Sequence, residues 1–306
     1  MNKLMKVLAA SALVVTALAG CGSSAKYSKV GLGVVSTLSD EGQVNTTFAA
    51  VALDGDGKIA YIDVDVAQST PGDKANEKTQ TKKELKEKYG MKSVSAQMGK
   101  ISGGAEWYEQ MAAFEQYCTG KTADEVAGIE TEKNAEGNLS PKAGSDLAAG
   151  CTMAIGDFQA AVKKACENAA EVEAEKVGLG RLMSNDSEQK QLNTNLALVA
   201  TDADGKIVYS KIDVAQIYKG VLETKSERKE KYGMKSASGI KKEWYEQAAA
   251  FENSINGKTL DEVKAIETED FHGGKAAKAG TDLAAGCTMT IDAFLKTVES
   301  AMNDLK

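Results

Sequence analysis

Two stretches of the chain present a hydroxyl on which chemistry could be done. Residues 142–153 read KAGSDLAAGCTM and residues 278–289 read KAGTDLAAGCTM, one Ser/Thr exchange apart. Thr152 and Thr288 each offer a hydroxyl that can form a phosphoester. Gly150 and Gly286 stand two residues earlier and, lacking Cβ, let a bulky donor approach the backbone. An apolar helical pattern begins just after each Thr. The free N–H groups and dipole of a helix start favour a phosphate's negative charge. Asp146 and Asp282 supply a carboxylate to each block, and Cys151 and Cys287 adjoin the Thr. No His or second Cys stands beside these thiols, so tight packing is expected of them rather than nucleophilic reactivity. The competing reading is a turn in which Thr152 and Thr288 act as N-cap residues.

Little else in the chain has catalytic spacing. His272 is the single His and sits in a loop-like Phe271-His272-Gly273-Gly274, so a His-based metal cluster is excluded. No catalytic residue and no metal ligand is assigned. Asp54-Gly55-Asp56-Gly57 suggests calcium, but a calcium loop of the EF-hand kind needs Gly at its sixth position, and Ile59 stands there. Cys118 aligns with Ile255 and Cys166 with Met302, which reads either as two buried apolar positions or as one disulfide within the first half. Met91, Met234, Tyr108 and Tyr245, with Tyr89 and Tyr232 near them, are the soft and aromatic side chains that could touch a flat cofactor ring.

These residues recur because the chain is a tandem repeat. VGLG at 30–33 returns at 177–180, and DGDGKIAYIDVDVAQ at 54–68 returns as DADGKIVYSKIDVAQ at 202–216. KEKYGMKS at 86–93 returns at 229–236, and EWYEQMAAFE at 106–115 returns as EWYEQAAAFE at 243–252. Each unit opens with strands. Asp56-Gly57 and Asp204-Gly205 mark a hairpin, followed by a strand with Ile62, Val64 and Val66 on one face and Asp63 and Asp65 on the other. A Lys/Glu-rich helix then runs to Gly90 or Gly233. Trp107, Met111 and Phe114 share a helix face, as do Ile155, Phe158 and Val162. Strands followed by helices predict an α+β fold, two tandem homologous domains with helices packed on a small antiparallel sheet. The first unit spans 30–170 and the second 177–306. Residues 171–176, EVEAEK, lack Gly, Pro and Ser and are expected to continue the preceding helix as a stiff linker.

The chain begins MNKLMKVLAASALVVTALAGC. Lys3 and Lys6 precede an uncharged run to Ala19 that is too short to span a membrane comfortably and has the length of a signal-peptide core. Leu18-Ala19-Gly20-Cys21 resembles the bacterial lipobox. This implies a signal peptide at 1–20 and lipid on Cys21, with 21–29 as a tether to the outer face of the cell membrane. Removing 1–20, with two Lys and no acid, takes the formal charge from −7 to about −9. An acidic chain argues against nucleic-acid partners. A monomer is expected.

The segments from Asp146 to Thr152 and from Asp282 to Thr288 resemble the attachment motif of the FMN-binding domain family. In that family Asp, two variable residues, Ser or Thr, Gly and Ala precede a Thr that a flavin transferase esterifies with FMN. Ala149 and Ala285 replace the family's Ser/Thr here, and Cys151 and Cys287 replace its Ala, identically in both copies. Lipobox, two units and two Thr motifs together resemble the doubly flavinylated lipoproteins of Gram-positive extracellular electron transfer. The resemblance implies two covalent FMN groups, on Thr152 and Thr288, with Asp146 and Asp282 helping to present each Thr to the transferase. It implies electron transfer from a membrane quinol-linked donor to extracellular acceptors such as ferric iron or soluble flavins. Ferric reductase activity would be a property of the bound flavin rather than of a conventional enzyme. The alternative class is a surface lipoprotein that captures a ligand between its two units without flavin. The leader fragment VVTALAG could also serve as a peptide pheromone.

Overall fold

The computed structural model describes residues 25–72, 79–134 and 137–306. The expected signal peptide and Cys21 lie outside the described residues.

The first unit runs β1 (Tyr27–Leu38), β2 (Val44–Leu53), β3 (Ile59–Ser69), α1 (Lys82–Leu85), α2 (Met91–Met98), α3 (Trp107–Cys118), α4 (Ala123–Ala127), β4 (Thr131–Lys133), β5 (Leu139–Pro141), α5 (Gly156–Glu167) and β6 (Ala170–Ala174). The second runs β7 (Lys176–Asp186), β8 (Gln191–Thr201), β9 (Ile207–Ile217), α6 (Lys225–Arg228), α7 (Trp244–Ile255), α8 (Leu260–Lys264), β10 (Thr268–Phe271), β11 (Gly274–Ala277), α9 (Asp282–Gly286) and α10 (Asp292–Asn303). The fold is α+β, as the order of elements predicts. Gly57 and Gly205 take the left-handed conformation in the β2–β3 and β8–β9 turns. The Asp54 carboxylate accepts the N–H groups of Asp56 and Lys58, so the Asp-Gly run is a hairpin turn. The polar helix before Gly90 is shorter than its composition suggests. One turn, α1, breaks at Lys86 (φ 47°) and continues as a 3-10 turn over Lys86–Tyr89, which Gly90 ends at φ 77°.

Two antiparallel sheets, β3-β2-β1-β6 and β7-β8-β9, hold the units together. Their inner faces share one core. Val30, Leu32, Phe48 and Ala50 of the first sheet pack with Leu179, Leu192, Leu196 and Leu198 of the second. The helices cover the outer faces, α3 and α5 on the first sheet, α7 and α10 on the second. The layers are therefore helix, sheet, sheet, helix. A ligand captured between the units has no place here, because that interface is filled with buried apolar side chains.

The VGLG repeat sets how closely the helices approach. A Cβ on Gly31 would lie 2.0 Å from the Ala165 carbonyl oxygen, and one on Gly33 2.1 Å from that of Ala161. Gly178 and Gly180 meet Ala301 and Thr297 of α10 in the same way. In each unit the strand is bare of side chains where the helix lies on it.

The EVEAEK segment corrects the helical-linker expectation. Residues 170–174 form β6, an edge strand antiparallel to β1 with Val30 opposite Ala170 and Lys29 opposite Glu171. Glu171 and Glu173 are exposed while Val172 packs on the core between the sheets. That alternation has the two-residue period of a strand, and the backbone edge of β1 supplies hydrogen-bond partners that a continued helix would leave unpaired.

A buried ionic cluster also joins the units. Arg181 on β7 bonds Asp63 and Asp65 on β3, and Lys83 bonds Asp63 and Glu115. The Asp65 carboxylate also accepts the N–H groups of Val66 and Lys83. Three carboxylates thus face two cations, and Glu115 is the surplus acid. Burial pushes it up to about 7, against the pull of Lys83. At the counterpart of Asp65, Asp213 is buried, and burial raises its carboxyl as well.

Replacing Arg181 with Ala leaves two buried carboxylates short of a partner and is expected to cost about 3–5 kcal/mol, read as a lower denaturant midpoint. Glu115 has a folded-state pKa above its unfolded value. Its contribution is therefore complete in acid and lost as pH rises through about 7. Denaturant midpoints should fall over that range, and Glu115→Gln should flatten the fall.

Candidate functional site

Each Thr block begins with a hydroxyl cap. The Ser145 hydroxyl accepts the Ala148 N–H, and the Thr281 hydroxyl accepts the Ala284 N–H, both at 3.3 Å. The Ser/Thr exchange is thereby explained, since either side chain starts a short turn. That turn is 3-10 over Leu147–Ala149 in the first unit and α9 in the second. Leu147 and Leu283 anchor it in the core, and the Cys151 and Cys287 N–H groups bond back to their carbonyls. Asp146, Ala149, Asp282 and Ala285 are exposed.

Gly150 and Gly286 have an internal reason to lack a side chain. A Cβ at either would sit 2.8 Å from the Cβ of Ala113 on α3 or Ala250 on α7. Cys151 and Cys287 are fully buried, and burial pushes each thiol up to about 11. They are packing residues and not nucleophiles. Cys118 and Cys166 are free thiols, the first buried and the second half-buried, so the disulfide expectation is set aside.

Thr152 and Thr288 are held by an interaction that sequence reasoning missed. The Gln110 side-chain oxygen accepts both the N–H of Thr152, at 2.9 Å, and its hydroxyl, at 3.2 Å. Gln247 does the same for Thr288 at the same distances. The Gln110 NH2 is committed to the Ala105 carbonyl and the Ser95 hydroxyl, and the Gln247 NH2 to the Lys242 carbonyl and the Ser238 hydroxyl. Both amides are buried, at 1% and 0% exposure. A Gln beside Trp and Met on an apolar helix face, repeated in both copies, was the available sign. The helices that follow are capped by Ile155 and Ile291, so neither Thr is an N-cap residue, and the turn-cap reading fails at that point.

Thr152 stands on the wall between two clefts. One, of about 800 Å³, is lined by Met91, Val94, Met98 and Trp107, by Gln110, by the polar ends of β1–β3 and by the first turn of α5. The other, of about 450 Å³, is lined by Asp146, Ser145, Ser140 and Lys100. Of the residues expected from the sequence, Thr152 and Met91 come together on the larger cleft, and Thr152 and Asp146 on the smaller. Met91 is tied to the site through its N–H, which the buried Glu106 carboxylate accepts, and Met234 is tied to Glu243 likewise. Tyr108 lines neither cleft. Its hydroxyl donates to Glu87, and that of Tyr245 to Glu230, and these bonds raise both phenol pKa values. Tyr108 is thus not brought to the larger cleft with Met91. Asp157, in the first turn of α5, faces the larger cleft, and burial raises its carboxyl.

No family model, curated protein or solved structure matches the chain.

A half-buried hydroxyl on a cleft wall, oriented by a buried amide, suits esterification by a large donor. Gln110→Leu keeps the shape but removes the acceptor, and leaves the Thr152 N–H without its bond. The loss of a buried hydrogen bond of this kind costs about 1–3 kcal/mol. We expect a modest fall in melting temperature and a loosened Thr152 loop, seen as faster amide exchange at 151–154, while the loop around Thr288 is unchanged.

Proposed function

We propose that the chain is a lipid-anchored extracellular electron carrier bearing two FMN groups, one esterified to Thr152 and one to Thr288. The reading rests first on the sequence, where lipobox, two units and matched Thr motifs resemble PplA over nearly the whole mature chain. One observation of the fold supports it most. Two copies of the motif place a Thr hydroxyl on the same buried Gln amide, half-exposed at the rim of its unit.

The residues around Thr152 fit such a group. The larger cleft has the volume of a cofactor site. Met91, Val94, Met98 and Trp107 offer apolar and aromatic surface for a flat ring. Gly156, Asp157 and Phe158, the first turn of α5, lie on the same cleft, where unpaired N–H groups suit a phosphate. Bound FMN would accept and release one or two electrons. The protein's own part is to orient the Thr hydroxyl, to carry Asp146 and Asp282 on exposed turns that a flavin transferase can reach, and to hold the ring against apolar surface.

The membrane-side partners follow from the same reading: a quinol-linked donor in the membrane, and ferric iron or soluble flavins outside. Anchoring would be by lipid on Cys21. Among the described residues no helix is long and apolar enough to cross a membrane.

Coexpression with a flavin transferase should add two FMN masses, with yellow colour that survives denaturation. Thr152→Ala should carry one FMN and Thr288→Ala the other. An unmodified mass, with a known acceptor modified in parallel, would overturn the assignment.

A further inference from the structure

The larger cleft has a floor that the Thr motif does not explain. Along β2 the residues facing the helices change character. Ala49, Val51 and Leu53 lie in the core beneath α3 and α5, but Thr47, Asn45 and Gln43 continue the same face into the cleft. Gln68, opposite Asn45 on β3, completes the set. These positions are neutral amides and a hydroxyl on a face that is elsewhere apolar.

Their mutual bonding orients them as a group. The Gln68 NH2 donates to the side-chain oxygens of both Gln43, at 3.0 Å, and Asn45, at 2.7 Å. The NH2 groups of Gln43 and Asn45 are thereby turned away from Gln68 and have no partner among the described residues. The Gln68 oxygen receives one long bond, from the Tyr89 hydroxyl at 3.5 Å. The floor therefore presents two donor groups and one lightly used acceptor. The same residue types recur in the second unit, bonded differently, with Gln216 joined to neither Gln191 nor Asn193 among the described residues. Asn193 and Gln216 stand opposite each other on β8 and β9, Gln191 donates to Asn193, and the Tyr232 hydroxyl donates to Gln216.

Above this floor stand Met91, Val94, Met98 and Trp107. The charged groups on the cleft are Lys82, which lies over the rings of Tyr89 and Trp107, and Asp157. A slot with an apolar wall and a floor of two donor groups and one acceptor suits a planar heterocycle whose edge carries two acceptors and one donor. That edge is the carbonyl, N–H, carbonyl sequence of a cyclic imide.

We propose that Gln43, Asn45 and Gln68 form a recognition subsite for the imide edge of a flavin ring, and that Gln191, Asn193 and Gln216 do so in the second unit. The inference builds on the flavin reading but assigns the ring's orientation, which the attachment motif does not. Two carbonyl oxygens of the ring accept from the free amide NH2 groups, and the ring N–H between them donates to the floor. The second subsite is the more open. The helix α2 that carries Val94 and Met98 is replaced there by a 3-10 turn over Met234–Ser236.

The test uses the full chain made without a transferase and titrated with lumiflavin, followed by fluorescence quenching. Lumiflavin carries the ring without ribityl or phosphate. The parent is expected to bind it, and the double variant Asn45→Val with Gln68→Leu to lose one equivalent, with at least tenfold weaker binding at that site. The site retained in the second unit reports that the variant is folded. Lumiflavin methylated on the imide nitrogen should bind the parent at least tenfold more weakly. Equal binding by parent and double variant, or no binding by the parent, would overturn the subsite. Intact mass after coexpression with a transferase is read separately on the same variant. FMN gained by mass without any lumiflavin difference keeps the carrier reading and removes the subsite, whereas a lumiflavin difference without FMN gain does the reverse.

Discussion

The fold turns on a steric contact between helix and strand. Carbonyl oxygens of α5 lie where the side chains of Gly31 and Gly33 would be, and those of α10 lie over Gly178 and Gly180. Any side chain there would lift the helix off its sheet. With α5 seated, Phe158 in its first turn meets Trp107 and Phe114 edge-on, at 6.1 and 5.6 Å between ring centres, and so locates α3. Gln110 is one turn along α3 from Trp107, and Thr152 is four residues before the start of α5. Strand glycines, an aromatic trio and a short loop therefore bring an amide and a hydroxyl together. The same chain of contacts runs through Trp244, Phe294 and Phe251 in the second unit.

Much of this architecture could be read from residue order. The repeat divided the chain into its two units, and the periodicity of Trp107, Met111 and Phe114 and of Ile155, Phe158 and Val162 located the helices that carry the site. The remaining features depended on contacts remote in sequence. Residues 171–176 look helical by composition because Glu and Ala favour helices in isolation. The open edge of β1 decided otherwise. The stacking of the two sheets left a weak trace in β2, where Phe48, Ala49, Ala50 and Val51 are apolar on both faces, the pattern of a strand buried on both sides. Tyr108, one residue on from buried Trp107, points away from the core as its helix position implies, and Glu87 takes its hydroxyl, a partner that only the fold brings near.

The two Thr sites are alike in their anchoring and unlike in their surroundings. The Gln–Thr distances are 2.9 and 3.2 Å in both units. The cover does not. The first unit carries α2 beside its cleft, with Val94 and Met98 at 50% and 60% exposure, and the second carries only a single 3-10 turn. A duplicated attachment site has thus been kept while the access to it diverged.

Arg181 has a further consequence. The contacts between the sheets follow an approximate two-fold axis, with β3 against β7 answered by β9 against β1. Arg181 occupies the position that Val34 has in the first unit, and Lys211 the position of Asp63. Two first units facing each other would set buried Asp63 and Asp65 against Val34. Two second units would bring Arg181 towards Lys211 and Asp213. The first pairing leaves its acids without a cation from the facing sheet, whereas in the second Asp213 stands where Asp65 would meet Arg181 and Glu252 already takes Lys211. The first unit therefore depends on the second for its cation, so exchange of units between chains would have to leave every first unit facing a second.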